Sequence, residues 1–426
     1  MKYHQLPKGL FEKNRQKLAD SLPKGGMAII HSNWETPRNG DAFFAFRQQS
    51  DLFYLTGIDQ EDTIYVSFPD CPNPMFKECV FVKETNAQIA VWDGARLNPE
   101  QVYERSGISS VFWYHEFWQT IHSVILMAES IGVNLNENDR FTTNVPYSNI
   151  HFTKQLKDRY PVHNMFRLAP TLARLRMSKE EEEIELLKEA ISITRKGLYR
   201  ALQFIKPGVM EYEVEAEIIH EFIKNRSKGF AFDPIMASGE SACVLHYIEN
   251  NKPLKDGDLM LLDFGAEYAN YNGDLTRCIP VNGKFSKRQK EVYDAVLDVQ
   301  RYAKSNLKPG VTLPDYHGKV CAYTNEKLVE LGLFTQQEIK DNPKSYLKYF
   351  MHGTSHHLGL DVHDVMHRFE PIPDGSVLTI EPGIYIPEEE IGVRIENDVV
   401  LQGDKIIDLM EDFPIKTEEI EDAMNP

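Results

Sequence analysis

Two stretches in the second half of the chain repeat one another: KDGDLMLLDFG (255–265) and PDGSVLTIEPG (373–383). Asp256-Gly257 aligns with Asp374-Gly375, Asp263 with Glu381, and Gly265 with Gly383. An earlier pair matches too: IKPGVMEYEV (205–214) and LKPGVTLPDY (307–316) each close a helical pattern. The spacing differs by a loop insertion, as an old duplication would leave it. Four matched elements in one order predict two like halves packed about a pseudo-twofold axis. Equivalent positions of the halves then converge at that axis.

The helix before the first KPG begins at SKEEEEIELL (178–187). Ser178 with Glu181 fits a capping box, and glutamates in the first turn suit the helix dipole. Pro207-Gly208 stops the helix. The helix of the second half follows Ser286, with Gln289 as the capping partner.

The 426 residues exceed one typical domain. The character changes near residue 173, which divides the chain into 1–173 and 174–426. The first part alternates short apolar runs with amphipathic stretches, an α/β pattern. Its expected strands are 27–31, 51–57, 63–68, 79–83, 89–94 and 110–114, with a helix over 117–130. The second part reads as α+β. A net charge of −17 argues against a nucleic-acid partner. No apolar run is long enough to span a membrane, and the first residues carry no signal-peptide pattern, so a cytoplasmic protein is expected. The five cysteines are odd in number and include no Cys-x-x-Cys pair, which predicts buried free thiols.

The chemistry sits in the repeat. Asp263 ends the apolar run Leu259–Leu262, where an unpaired carboxylate would cost several kcal/mol. The turn-rich GAEYANYNGD and the strand-like LTRCIPV predict a hairpin. A turn centred at residues 268–269 places Asp274 opposite Asp263, with Cβ atoms about 5 Å apart. In the second half, Glu381 and Glu396 lie on strand-like runs, and Arg394 shares a face with Glu396. Between the pairs, MHGTSHHLGLDVHDVMH (351–367) holds five of the fourteen histidines: His352, His356, His357, His363 and His367. Four carboxylates and one neutral imidazole balance two divalent ions. Oxygen-rich ligation suits Mn²⁺, Mg²⁺ or Fe²⁺. Two ions about 3.5–4 Å apart can share a bridging hydroxide and polarise a carbonyl, which is hydrolytic chemistry. The residues alone do not choose among the histidines.

Other machinery is missing. There is no His-Glu-x-x-His motif and no Walker A loop. SGESAC (238–243) has Cys243 where a nucleophile elbow needs glycine. Cys243 and His246, near in sequence, are not thereby a thiol dyad.

Five segments carry a resemblance: SGESACVLHYIENN (238–251), LLDFGAEYANYNGDLTR (261–277), HGTSHHLGLDVHD (352–364), TIEPGIY (379–385) and VRIENDVV (393–400). They resemble the pita-bread-fold metallopeptidases, most of all aminopeptidase P. FRQQSDLFYLTG (46–57) resembles that family's creatinase-like first domain. The resemblance implies that Asp263 binds one metal, that Asp274 and Glu396 bridge both, and that His356 and Glu381 bind the other. It implies that His246 and His363 steady the substrate, that His352 lines the site, and that Glu381 shuttles a proton. From its place on the same strand face, Arg394 is expected to orient the Glu396 carboxylate and to contact substrate. Manganese is the metal the resemblance implies, and a homodimer or homotetramer the assembly. Trp92, in VWDGAR, resembles a tryptophan that reaches a neighbouring subunit's site in tetrameric members. His357 stands where many members of that family carry an aromatic or other residue, a departure that bears on the adjacent pocket wall. The substrate implied is a peptide with proline second, a tertiary amide without an N–H. A prolidase, restricted to Xaa-Pro dipeptides, shares all the ligands. The fold also occurs in proteins that lost their metals and serve as binding modules.

Overall fold

The computed structural model describes residues 2–138 and 140–425. Its contacts divide the chain into two units: Gln5–Arg176, and a second running from Met177 onward with the first residues of the chain.

The first unit is built on a six-stranded mixed sheet. Its strands are β1 (Gly26–His31), β2 (Ile64–Ser67), β3 (Glu78–Val82), β4 (Val111–Trp113), β5 (Ser130–Val133) and β6 (Asn164–Arg167), in the order β4-β3-β2-β1-β5-β6. Two stretches expected as strands are helices. Residues 51–57 form α1 (Ser50–Thr56), where the Gln49 side chain accepts from the Leu52 N–H at 2.8 Å and Gly57 ends the helix at φ +64°. Residues 89–94 fall in α2 (Ala87–Asp93), capped by Asn86. In both, the cap and the closing glycine outweigh a short apolar run, whose period alone separates helix from strand poorly. The helix expected over 117–130 is α3 (Phe117–Ile125) and stops earlier, because Ser130 already belongs to β5.

The second unit carries the repeat. Its first half runs α4 (Glu181–Phe204), the KPG turn, α5 (Glu211–Lys224), then strands β7 (Ile235–Ser238), β8 (Leu259–Phe264) and β9 (Leu275–Pro280). The second half runs α6 (Lys287–Asn306), the other KPG turn, α7 (Leu313–Glu330), then β10 (Val377–Ile380), the hairpin of β11 (Gly383–Ile386) and β12 (Ile391–Arg394), and β13 (Asn397–Gln402) with β14 (Lys405–Asp408). The sheets are β9-β8-β7 and β10-β13-β14, both antiparallel. Met260 pairs with Ser238 in one half, and at the matched position Leu378 bridges His357 in the other. The histidine segment is thus the reduced counterpart of β7.

The capping box at Ser286 forms as expected, with both bonds present. The one expected at Ser178 does not. There the Glu180 N–H donates to the Glu183 carboxylate at 2.9 Å, and the Ser178 hydroxyl donates instead to the Asp374 carbonyl at 2.7 Å.

Leu259, Met260, Leu261 and Leu262 are all buried, so β8 is covered on both faces. That explains a continuous apolar run rather than an alternating one. The hairpin turn lies at Ala269-Asn270, not 268–269. Both residues have positive φ (52° and 66°), the requirement of a two-residue type I′ turn. Shifting the centre by one residue shifts the partner by two: Asp263 faces Thr276, and Asp274 lies two residues further along the same face. Gly265 sits where the two chains close on each other. A Cβ there would stand 1.7 Å from the Gly273 carbonyl oxygen, and backbone cannot yield as a side chain does. Gly265→Ala is therefore expected to cost about 3 kcal/mol or more, read as a lowered midpoint in urea denaturation. An unchanged midpoint would show that the strands can part at no cost.

Candidate metal centre

Four short strands end at one place and deliver one acidic side chain each. Asp263 lies near the end of β8, and Asp274 immediately precedes β9. Glu381 follows β10, and Glu396 immediately precedes β13. The backbone ties the halves together there, since the Glu396 N–H donates to the Thr276 carbonyl at 3.1 Å. His356 is set beside them by the Thr379 N–H donating to its carbonyl at 3.0 Å, and by its own N–H donating to Thr379 Oγ1 at 3.2 Å.

Asp274, His356 and Glu396 offer ligand atoms that all lie within 4.8 Å of one another, and all three residues are buried. His356 Nε2 stands 3.5 Å from Asp274 Oδ2 and 3.7 Å from Glu381 Oε1. Its Nδ1 faces the His357 carbonyl at 3.0 Å. Donation to that carbonyl leaves the Nε2 lone pair free for a cation, the usual way a second partner orients a metal-binding imidazole.

Asp263 is held differently. Arg394 Nη2 donates to its carboxylate. The same guanidinium donates to the Tyr385 hydroxyl at 2.7 Å and to Thr276 Oγ1 at 3.1 Å. Thr276 in turn donates to Glu396 Oε2 at 2.7 Å. Tyr385 also meets His352 Nε2 at 2.8 Å. Thr276 and Tyr385 were not among the sequence candidates. Each lies an even number of residues from a carboxylate on its own strand path, so the period of two was the signal available.

The electrostatics are those of negative charge crowded out of water. Burial pushes Asp263 up to about 6, with Asp274 adding to the rise and Arg394 opposing it. Burial pushes Glu381 up to about 7, against the pull of His356 and Arg394. Glu396 is raised by burial and then by Asp274 and Glu381. Burial works against a charged His356, but Asp274 and Glu381 outweigh it and its pKa rises. Asp274 Oδ1 is buried and finds no hydrogen-bond partner among the described residues. An orphaned carboxylate oxygen facing other carboxylates is costly. A divalent cation relieves both the orphan and the repulsion, so these residues fit the divalent metal expected from the sequence.

The remaining sequence candidates fall around this centre unevenly. His363 packs its ring edge-on against His356, with centroids 4.4 Å apart. His352 has Nδ1 3.9 Å from Glu381 Oε2. Its pKa falls to about 3, from burial first and then from Arg394, so it is a neutral imidazole at physiological pH. His246 is exposed, and near enough to His352 to contribute to that fall. Trp92 lies in the first unit, 86% exposed on α2. His357 is buried with both ring nitrogens unpartnered among the described residues. The five cysteines are free. Among the described residues no helix is long and apolar enough to cross a membrane.

Comparison with known proteins adds two family matches. Residues 185–402 match metallopeptidase family M24, and residues 11–131 match the aminopeptidase P N-terminal domain. The chain is 33% identical to the Xaa-Pro aminopeptidase of Haemophilus influenzae, over 99% of this chain and 98% of that one. Its structure resembles aminopeptidase PepP of Pseudomonas aeruginosa (TM-score 0.91, 29% identity, 99% and 98% of the chains). It also resembles zinc-substituted Escherichia coli aminopeptidase P in complex with product (TM-score 0.88, 30% identity, 99% of both chains).

Proposed function

The chain belongs to metallopeptidase family M24, with an aminopeptidase P N-terminal domain before the catalytic unit, and from that premise we propose that it is a two-metal enzyme releasing the N-terminal residue from peptides whose second residue is proline. Metal-dependent peptide hydrolysis follows from the family; the pair of ions and their roles are the proposal. The observation that carries it is the buried meeting of Asp274, His356 and Glu396, with Glu381 3.7 Å from His356 and one carboxylate oxygen of Asp274 without a partner among the described residues.

Asp263, Asp274, His356, Glu381 and Glu396 would hold the ions. An oxygen-rich set with one imidazole suits Mn²⁺, Mg²⁺ or Fe²⁺, and of these manganese is the one the family resemblance implies. Bound there, divalent ions would acidify a water and polarise the scissile carbonyl. The protein's own groups do the rest. Glu381, at the centre of the site with Oε1 3.7 Å from His356 Nε2, takes a proton from the attacking water and delivers it to the proline nitrogen as the C–N bond breaks. His246 and His363 hydrogen-bond the substrate about the reacting carbonyl. His352, neutral and fixed by Tyr385 and the Gly353 carbonyl, offers a rigid wall without charge. Arg394 holds Asp263 in place while charge moves nearby.

The test is a paired assay of Xaa-Pro and Xaa-Pro-Yaa with added Mn²⁺. An aminopeptidase cleaves the tripeptide at least as well as the dipeptide. Negligible tripeptide cleavage beside rapid dipeptide cleavage would replace this reading with that of a prolidase.

A further inference from the structure

His246 belongs to a segment, residues 239–251, that leaves β7 and returns before β8 with almost no regular structure of its own. After a short 3₁₀ turn (Gly239–Cys243) it carries Val244, His246 and Ile248 exposed, with Tyr247 buried between the last two. An exposed histidine on such a segment keeps no fixed position unless something holds its base.

Glu211 does so. It is the first residue of α5 and is wholly buried. Its Oε1 accepts from the Ser238 N–H at 2.9 Å and from the Ser238 hydroxyl at 2.6 Å. Its Oε2 accepts from the Tyr247 hydroxyl at 2.8 Å and from the Lys252 N–H at 2.9 Å. One carboxylate thus joins the residue entering the loop, the residue leaving it, and the neighbour of His246. Asn250, at φ 45°, adds a second clasp: its Oδ1 accepts from the Met236 N–H at 3.0 Å, and its Nδ2 donates to the Pro234 carbonyl and to Glu215, each at 2.9 Å. Burial, then the Glu211 carboxylate, pushes the Tyr247 phenol above its ordinary value, so it remains the donor.

We propose that Glu211 is a positioning residue for the peptidase reaction, which acts by drawing Tyr247 inward and so turning His246 toward the substrate. The inference rests on the reading of His246 as a substrate contact. Glu211 lies on a helix, whereas every metal-ligand candidate lies on or beside a strand or in a loop, and its four bonds go to none of them. Its loss therefore moves the histidine and spares the ions. Misplacing a contacting group by about 1 Å costs on the order of 10²-fold in rate.

Two variants separate this from a general weakening of the fold. Glu211→Gln turns an N–H₂ group toward one pair of donors. Tyr247→Phe removes a single hydroxyl and is the milder change. Each is made in the parent chain and in a His246→Ala chain. Hydrolysis of an Xaa-Pro-Yaa peptide, bound manganese per chain and the melting temperature are measured. Tyr247→Phe is expected to lower kcat/KM about 10-fold, and Glu211→Gln about 10- to 100-fold, with the parent's manganese content. In the His246→Ala chain the effect of Tyr247→Phe is expected to shrink to within about 2-fold, because two changes acting through one group do not add. The same factor with and without His246 would overturn the inference alone. A His246→Ala chain as active as the parent would overturn both the inference and the placement of His246 at the substrate.

Discussion

Glu381→Ala is expected to lower kcat/KM for an Xaa-Pro-Yaa peptide on the order of 10³-fold or more, while the protein stays folded. Two losses combine. The side chain stands 3.7 Å from His356 Nε2 and 3.9 Å from His352 Nδ1, so it faces the centre of the site and would serve one ion in the proposed mechanism. A carboxylate so placed can also take a proton from the attacking water and give it to the leaving nitrogen. Its removal relieves charge repulsion instead of opening a core cavity, so the metal-free variant should melt no lower than the metal-free parent. The measurement is steady-state hydrolysis beside a melting curve. Full activity in Glu381→Ala would remove this residue from the mechanism.

Chelation is expected to abolish hydrolysis and to change how stability depends on pH. In the metal-free chain, Asp263 and Glu381 are raised to about 6 and about 7, and Glu396 is raised as well. A carboxyl raised in the folded state binds more protons there than in the unfolded state. Its contribution is therefore fully present below the unfolded value of about 4 and is lost as pH rises through the folded value. His356, also raised, has the same sign. The stripped protein should melt at progressively lower temperature from pH 5 to pH 8. Manganese should restore the melting temperature most at pH 8, because ligands deprotonate to bind. Below about pH 4.5 other carboxylates reverse the trend, Glu419 among them at about 2. A stripped protein more stable at pH 8 than at pH 5 would contradict the crowding of negative charge.

Much of this candidate centre was legible in the chain because its four carboxylates lie at the ends of buried strands. Asp263 follows four apolar residues, and nothing but a cation or dense hydrogen bonding justifies a carboxylate there. The repeat then pointed to Glu381. The geometry between strands was less legible. It turned on Ala269, a residue that rarely accepts positive φ, and the one-residue error moved Thr276 into the place expected of Asp274. Counted from the two registers, Thr276 is the counterpart of Glu396, and Asp274 that of Arg394. The halves are alike in backbone yet place their second carboxylate two residues apart. In the first unit, α1 and α2 were read as strands because each is seven residues long, too short for a helical period to show. Glu211 left no signal at all, since its partners lie 27 to 41 residues away in the chain.

The most direct test of the two-ion centre is the amount of manganese retained by the stripped chain after titration to saturation and removal of free ion, counted by elemental analysis. Two ions per chain are predicted, with hydrolysis of Xaa-Pro-Yaa returning as they bind. One ion per chain at full activity, or none, would contradict the account.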